Sequence, residues 1–276
     1  MIVLLTGTST GIGLASAVHV AAAGHQAVAT MRDPARADAL RSAADKAGVA
    51  VDIRRLDVTD EQAVRACIDA VVADYGRLDA LVNNAGAGHV GTVELDTLAA
   101  YRASMEVNYF SVVSATKSAL PHLRASGGRL VTVTSVGGVV GQPFNEAYCA
   151  AKFAVEGFME SLAPVAAALG VAVCVVEPGA VATEFVTNTG VDPAALIAAA
   201  GPYAAAMQAY ATRTLGRFAT AAQHPDEVAA VVLQALTEKQ PAFRRQTSPV
   251  AAQFTGTKLA DQTGAAVLAL TGGWLA

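Results

Sequence analysis

The chain has 276 residues, 53% of them hydrophobic, a net charge of −4 and three cysteines. That length suits one large domain with a substantial core, and the apolar content, much of it alanine, never runs unbroken for the ~20 residues a membrane span requires. The slight negative charge and the lack of a long basic cluster argue against nucleic acid as a partner; Arg54-Arg55 and Arg244-Arg245 are isolated pairs, read as solvated surface charge or interface contacts.

The first strand is expected at residues 2–6, and no basic leader precedes it. Thr6-Gly7-Thr8-Ser9-Thr10-Gly11-Ile12-Gly13 follows and leads into an alanine-rich helix over 12–23. Strand, glycine turn and helix start together make a phosphate site. Gly7 permits the turn, Gly11 lets the backbone approach a pyrophosphate, and Gly13 lets the helix pack closely on the sheet. The unpaired N–H groups and positive dipole of the helix face the anion. The spacing is Gly-x3-Gly-x-Gly rather than Gly-x-Gly-x-x-Gly, and an ordinary βα turn would also want glycine.

Strands are then expected at 26–31, 50–56, 80–82, 129–134 and 171–176, with helices near 34–47, 60–75, 97–125 and 147–169. Asp60 is placed to cap the third helix. This alternation implies βαβ units and a parallel sheet, hence an α/β class with a doubly wound Rossmann-type sheet. No linker or repeat divides the chain, so 1–276 is read as one domain. Regular alternation stops after residue 176. Segment 183–224, weakly helical near 193–211, is a candidate lid over the ligand crevice. A helix near 225–238 opens on His224-Pro225-Asp226-Glu227. The tail 247–276 carries apolar Val267-Leu268-Ala269-Leu270 and Trp274-Leu275, for packing on the body or on another subunit.

Tyr148 and Lys152 are four apart on a helix and project from one face. An ammonium beside a tyrosine hydroxyl stabilises the phenolate and lowers its pKa from the reference ~10, which suits general acid–base work. Ser135 ends the fifth strand thirteen residues earlier and precedes Gly137-Gly138; strand C-termini are where open parallel sheets hold their sites. Asn108 lies within the long fourth helix, where an amide is a mediocre helix former. It is read as a local distortion that holds a water beside Lys152, the alternative being a plain surface residue. Asn83-Asn84-Ala85-Gly86 follows strand four, and Asp57 ends strand three, placed to accept from an adenine amino group. Cys67, Cys149 and Cys174 lack metal-ligand spacing and are odd in number; they are read as inert thiols of a reducing cytoplasm, with no metal expected.

With these motifs in order, the chain resembles the short-chain dehydrogenase/reductase family, in particular its NADP-preferring steroid 17β-dehydrogenase-like branch. The match is strong over residues 2–183 and general beyond. It implies a tetrad in which Tyr148 passes the proton, Lys152 lowers its pKa and binds the nicotinamide ribose, Ser135 orients the carbonyl or hydroxyl, and Asn108 anchors a relay water. It also implies that Gly7, Ser9, Thr10, Gly11, Ile12, Gly13, Arg32, Asp57, Val58, Asn84, Ala85, Gly86, Pro178, Gly179 and Thr183 hold the cofactor, together with Tyr148 and Lys152. The end of strand two selects the dinucleotide. Met31 stands near the place of a ribose-binding acid and Arg32 follows, which suits a 2′-phosphate. Asp33 is read as a cap ahead of Pro34 rather than as an Arg32 partner or a ribose ligand. NADP(H) is therefore expected over NAD(H).

The expected activity interconverts a ketone and a secondary alcohol on a hydrophobic or cyclic substrate, with small-molecule carbonyl or alcohol partners. His89, Gly137, Gln142, Phe144, Asn145, Ala180, Phe185, Tyr203 and Met207 are the candidate pocket residues. Rival readings are an epimerase, dehydratase or isomerase with a recycled dinucleotide, and a non-catalytic dinucleotide sensor. A homodimer or homotetramer is expected, because helices 97–125 and 147–169 carry more apolar surface than one sheet-facing stripe requires.

Overall fold

The computed structural model describes residues 1–184 and 192–274, without the side chains of residues 217 and 219. Among the described residues the strands are β1 (Ile2–Thr6), β2 (Gln26–Met31), β3 (Asp52–Arg55), β4 (Ala80–Asn83), β5 (Arg129–Val133), β6 (Ala172–Glu177) and β7 (Arg244–Gln246). They form one parallel sheet in the order β3-β2-β1-β4-β5-β6-β7. The apolar runs at β1, β2, β4, β5 and β6 are buried on both faces, as a parallel sheet covered by helices demands.

One face carries α1 (Gly11–Ala22), α2 (Asp38–Ala47) and α9 (Pro225–Thr237), packed over Val3, Leu5, Ala29, Val131 and Val176. The other carries α3 (Glu61–Tyr75), α5 (Ser111–Ser126) and α6 (Glu146–Ala167), packed over Leu4, Val28, Leu81, Leu130 and Val175. Asp60 caps α3, accepting from the N–H groups of Gln62 and Ala63 at 3.0 Å each. At α9 the Glu227 carboxylate accepts from the His224 N–H, and Pro225 takes the first helical position. Strand order reverses between β1 and β4, so the crevice opens where both strands end.

Four features differ from the sequence reading. The helix expected over 97–125 is α4 (Leu98–Met105), a π-helical turn (Glu106–Phe110) and α5. Strand three is shorter than 50–56. The tail, given no helix in the sequence reading, contains α10 (Pro249–Leu259) and α11 (Ala265–Gly272), while the helical signal near 193–211 is met by α7 (Pro193–Ala199) and α8 (Ala204–Ala221). The arginine pairs are not simply solvated. Arg54 bonds Asp52 and Asp74 at 2.7 and 2.8 Å, Arg244 and Arg245 lie on β7 and pair with Glu160 and Glu238, and only Arg55 is exposed without an ion pair. A three-residue edge strand containing two charges has no alternation for a sequence pattern to reveal.

Among the described residues no helix is long and apolar enough to cross a membrane, and none of their His, Cys, Asp and Glu side chains group as a metal site would require.

Candidate active site

The glycine turn is built by close approach. Gly7 and Gly11 have φ of 69° and 58°, in the left-handed region that favours glycine. A Cβ at Gly7 would come 2.7 Å from the Ala85 Cα, and one at Gly11 would come 3.0 Å from the Thr183 Cγ2. At Gly13 it would strike the Gly7 carbonyl oxygen and the Asn84 amide nitrogen. Asn84 braces this turn from across the sheet: its Nδ2 donates to the carbonyls of Thr6 at 3.0 Å and Gly7 at 2.9 Å. Its amide is thus committed to the loop. Thr10 precedes α1 without capping it, which leaves the first-turn N–H groups aimed at the crevice. A cavity of about 580 Å³ opens here, lined by Thr10, Gly11, Leu14, Ala182, Thr183 and Phe218 among others.

At the end of β2, Met31 is buried in the core and Arg32 is exposed. Asp33 accepts from the Ala35 N–H at 3.0 Å, capping the turn Pro34–Arg36. Neither Arg32 nor Arg55 makes an ion pair with another described residue. Arg55 pairs in register with Met31, which brings it to the strand end that Arg32 leaves, and the sequence reading passed over it. Hydrogen bonds from the Thr59 hydroxyl and N–H hold the Asp57 carboxyl below its usual range, and Arg32 and Arg55 act in the same direction. Val58 is buried, and the Pro178 carbonyl accepts from the Val136 N–H at 2.9 Å. Gly179 faces Ala251, its Cβ position 3.8 Å away.

The chemistry-bearing residues converge at the ends of β4 and β5. Ser135 leaves β5 extended, and its Oγ accepts from the Gly137 N–H at 2.9 Å. A Cβ on Gly137 would lie 3.3 Å from both the Ser135 Oγ and the Tyr148 Cε1, so the glycine leaves room for the two hydroxyls to meet. Lys152 is buried, donates to the Val133 carbonyl at 3.2 Å, and sits 5.9 Å from the centroid of the Tyr148 ring. Asn108 is fully buried in the π-helical turn. Its Oδ1 accepts from the Ala87 N–H at 3.1 Å, and its Nδ2 donates to the carbonyls of Ala87 at 3.0 Å and Ser104 at 3.1 Å. The expected helix distortion is present, and the side-chain amide ties it to the Ala87 and Ser104 backbones. A Cβ on Gly86 would meet the Asn108 Oδ1 at 2.8 Å and the Lys152 Nζ at 3.5 Å, so both groups border this glycine.

Burial pushes the Tyr148 hydroxyl up to about 12, while its hydrogen bond with Ser135 works the other way. Burial draws the Lys152 ammonium down to about 8, opposed by the Glu156 carboxylate. Burial thus dominates the phenol, and the downward shift expected from the Tyr/Lys spacing is not seen. Cys149 is buried and its thiol is pushed up to about 11 by desolvation, as befits an inert side chain.

Phe144, Ala200, Met207, Tyr210 and Trp274 form one apolar cluster, with Tyr203 partly buried against it. Phe144 has φ of 57°, a strained conformation for a bulky residue. Its carbonyl accepts from the Gly91 N–H at 2.9 Å. The Asn145 amide donates to the Tyr210 hydroxyl at 2.5 Å. Trp274 stacks on Phe254 with centroids 5.8 Å apart, and the Arg213 guanidinium lies 5.3 Å over the indole. Trp274 packs on the body, one of the two placements expected for the tail; Tyr210 was not anticipated, because it lies in no motif. His89 pairs with Asp96 at 2.8 Å, a loop contact. Phe185 and Leu275 fall outside the described residues.

A parallel sheet with a glycine turn at its switch point and a Ser/Tyr/Lys cluster beside it defines a dinucleotide-dependent oxidoreductase architecture. The chain matches the short chain dehydrogenase family over residues 1–193, and it belongs to that family. It is 36% identical to human retinol dehydrogenase 8 (Homo sapiens) over 277 residues, covering 95% of this chain and 86% of that one. It is 38% identical to mouse (Mus musculus) 17-beta-hydroxysteroid dehydrogenase type 1 over 250 residues, covering 88% and 72%. The crystal structure of a short-chain dehydrogenase from Streptomyces avermitilis superposes with a TM-score of 0.76 at 30% identity, covering 99% and 95%. Oxidoreductases of this family use a nicotinamide dinucleotide.

Proposed function

We propose that the protein is an NADP(H)-dependent ketone reductase acting on a hydrophobic, ring-bearing substrate. The convergence of Ser135, Tyr148 and Lys152 beside the glycine turn carries the reading. The residues present fit the dinucleotide: Gly7, Gly11 and Gly13 leave a cradle that side chains would fill, and Arg32 and Arg55 offer guanidinium groups to a 2′-phosphate. When bound, the cofactor supplies the hydride. Ser135 orients the carbonyl oxygen, Tyr148 donates the proton, and Lys152 holds the ribose and steadies the phenolate that forms. Asn108 fixes the loop at Ala87 on which this geometry rests. The apolar wall of Phe144, Met207 and Tyr210 suits a ring system, in keeping with the relatives named as retinol and hydroxysteroid dehydrogenases. A ketone panel including cyclohexanone and estrone, with all-trans-retinal alongside, followed by NADPH absorbance, tests this. Substrate turnover without net change in NADPH would favour an isomerase or epimerase instead.

Helices α7 and α8, the described helices of segment 183–224, are proposed as the lid, since Met207 and Tyr210 join Phe144 in one apolar cluster and the Tyr210 hydroxyl accepts from Asn145, three residues before Tyr148. Their amides are expected to exchange faster than those of β1 and β4 in the free protein and to slow with NADPH and ketone bound. Uniform protection in the free protein would make them fixed structure.

The chain is proposed to pair through α5 and α6, near which Phe110, Val165 and Leu169 are 51%, 60% and 47% exposed. Sedimentation across a dilution series is expected to show a dimer or tetramer at micromolar concentration. A monomer there would overturn the pairing.

A further inference from the structure

Behind Lys152 lies a charged cluster that the proposed reaction leaves unused. Glu156 follows Lys152 by one turn of α6 and is 4% exposed. Its stem lies against Gly138, where a Cβ would come within 3.0 Å of both the Glu156 Cγ and the Lys152 carbonyl oxygen. The groups acting on the Glu156 carboxylate are the Thr134 side chain, Glu177 and Arg244, with the Arg244 Nε at 3.4 Å; none of these contacts has the geometry of a strong hydrogen bond. Arg244 also faces Glu177 at 3.3 Å and Glu160 at 2.8 Å. Glu177 is fully buried, and its other oxygen accepts from the Gln246 Nε2 at 2.8 Å. One guanidinium thus serves three carboxylates.

Glu160 and Glu177 already anchor Arg244, so Glu156 is surplus to the attachment of β7. A carboxylate buried with only the Thr134 side chain and a shared guanidinium to offset its charge is costly. The next cation inward on the same helix face is Lys152. The other groups facing Lys152 are neutral: the Val133 carbonyl, the Tyr148 ring and the Asn108 amide. Cys149 beside Tyr148 holds its proton near neutral pH.

We propose that Glu156 is a positioning residue that keeps the buried Lys152 in its ammonium form. The inference rests on the reading of Tyr148 and Lys152 given above. Burial raises the Glu156 carboxyl to about 7 and lowers Lys152 to about 8, so both groups change charge in one narrow window. Above it Lys152 loses its proton; without the anion it would do so at lower pH.

The test is kcat/KM from pH 6 to 10, with the fastest ketone of the panel, for wild type, Glu156→Gln, Glu156→Asp and Glu160→Gln. Calorimetric NADPH binding over the same range is the second readout. For Glu156→Gln the alkaline limb of both profiles is expected to move down by about one pH unit, the scale of one charge acting a helical turn away, with values matching wild type at pH 6. Glu156→Asp retains the charge and should restore the limb. Glu160→Gln should leave it in place. Superimposable wild-type and Glu156→Gln limbs, an equal loss at every pH, or an equal shift with Glu160→Gln would each overturn the inference. An active Tyr148→Phe would instead bring down the underlying assignment; an inactive Tyr148→Phe with an unshifted Glu156→Gln limb removes this inference alone.

Discussion

Tyr148→Phe is expected to lower turnover by at least ~10²-fold, the lower end of what general acid–base catalysis contributes. The ring stays against Gly137, and Lys152 remains bonded to the Val133 carbonyl, so NADPH binding should be largely kept. Only the transferable proton is lost. Steady-state kinetics beside calorimetric binding separates these effects; wild-type turnover would sink the assignment. The pH dependence has a defined sign. Tyr148, pushed up to about 12, carries its proton throughout the neutral range. Lys152, drawn down to about 8, loses its charge as pH rises past that value. Reduction should therefore be flat in the neutral range and fall on the alkaline side.

Arg32→Ala is expected to weaken NADPH binding by ~1.5–3 kcal/mol, the range for hydrogen bonds to charged groups, and to leave NADH nearly unchanged. In the structure Asp33 caps the turn at Ala35 and makes no ion pair with Arg32 among the described residues. Arg55 stands near the same strand end, so Arg55→Ala should add a smaller loss of the same selectivity. Titration of both cofactors against both variants and wild type decides. A wild type that binds NADH more tightly would reverse the cofactor assignment.

The parts legible in advance share a physical basis. Strands β1, β2, β4, β5 and β6 are continuous apolar runs between turn residues, and a buried parallel strand has few other ways to be written. The glycines, Ser135, Tyr148 and Lys152 are tied to chain-local geometry, a turn or a helix face, that spacing reports. What spacing cannot report is desolvation and partnership across the fold. The Tyr148 hydroxyl rises because the surroundings are dry. Asn84 turns out to brace the glycine turn because β4 lies beside β1. Arg244 reads as surface charge until β7 brings it against three glutamates. Tyr210 and Trp274 join Phe144 only through tertiary packing of α8 and the tail.

That last contact has a practical consequence. The chain contains one tryptophan, and it sits in the apolar cluster that lines the proposed substrate wall, under a guanidinium and against Phe254. Its emission is therefore a built-in optical probe of that wall, undiluted by any other indole. Reduced nicotinamide absorbs where indole emits, so NADPH binding should be visible as energy transfer from Trp274. A ketone arriving afterwards, or α8 shifting over it, should change the emission colour and its access to iodide quenching, with no label attached to the protein.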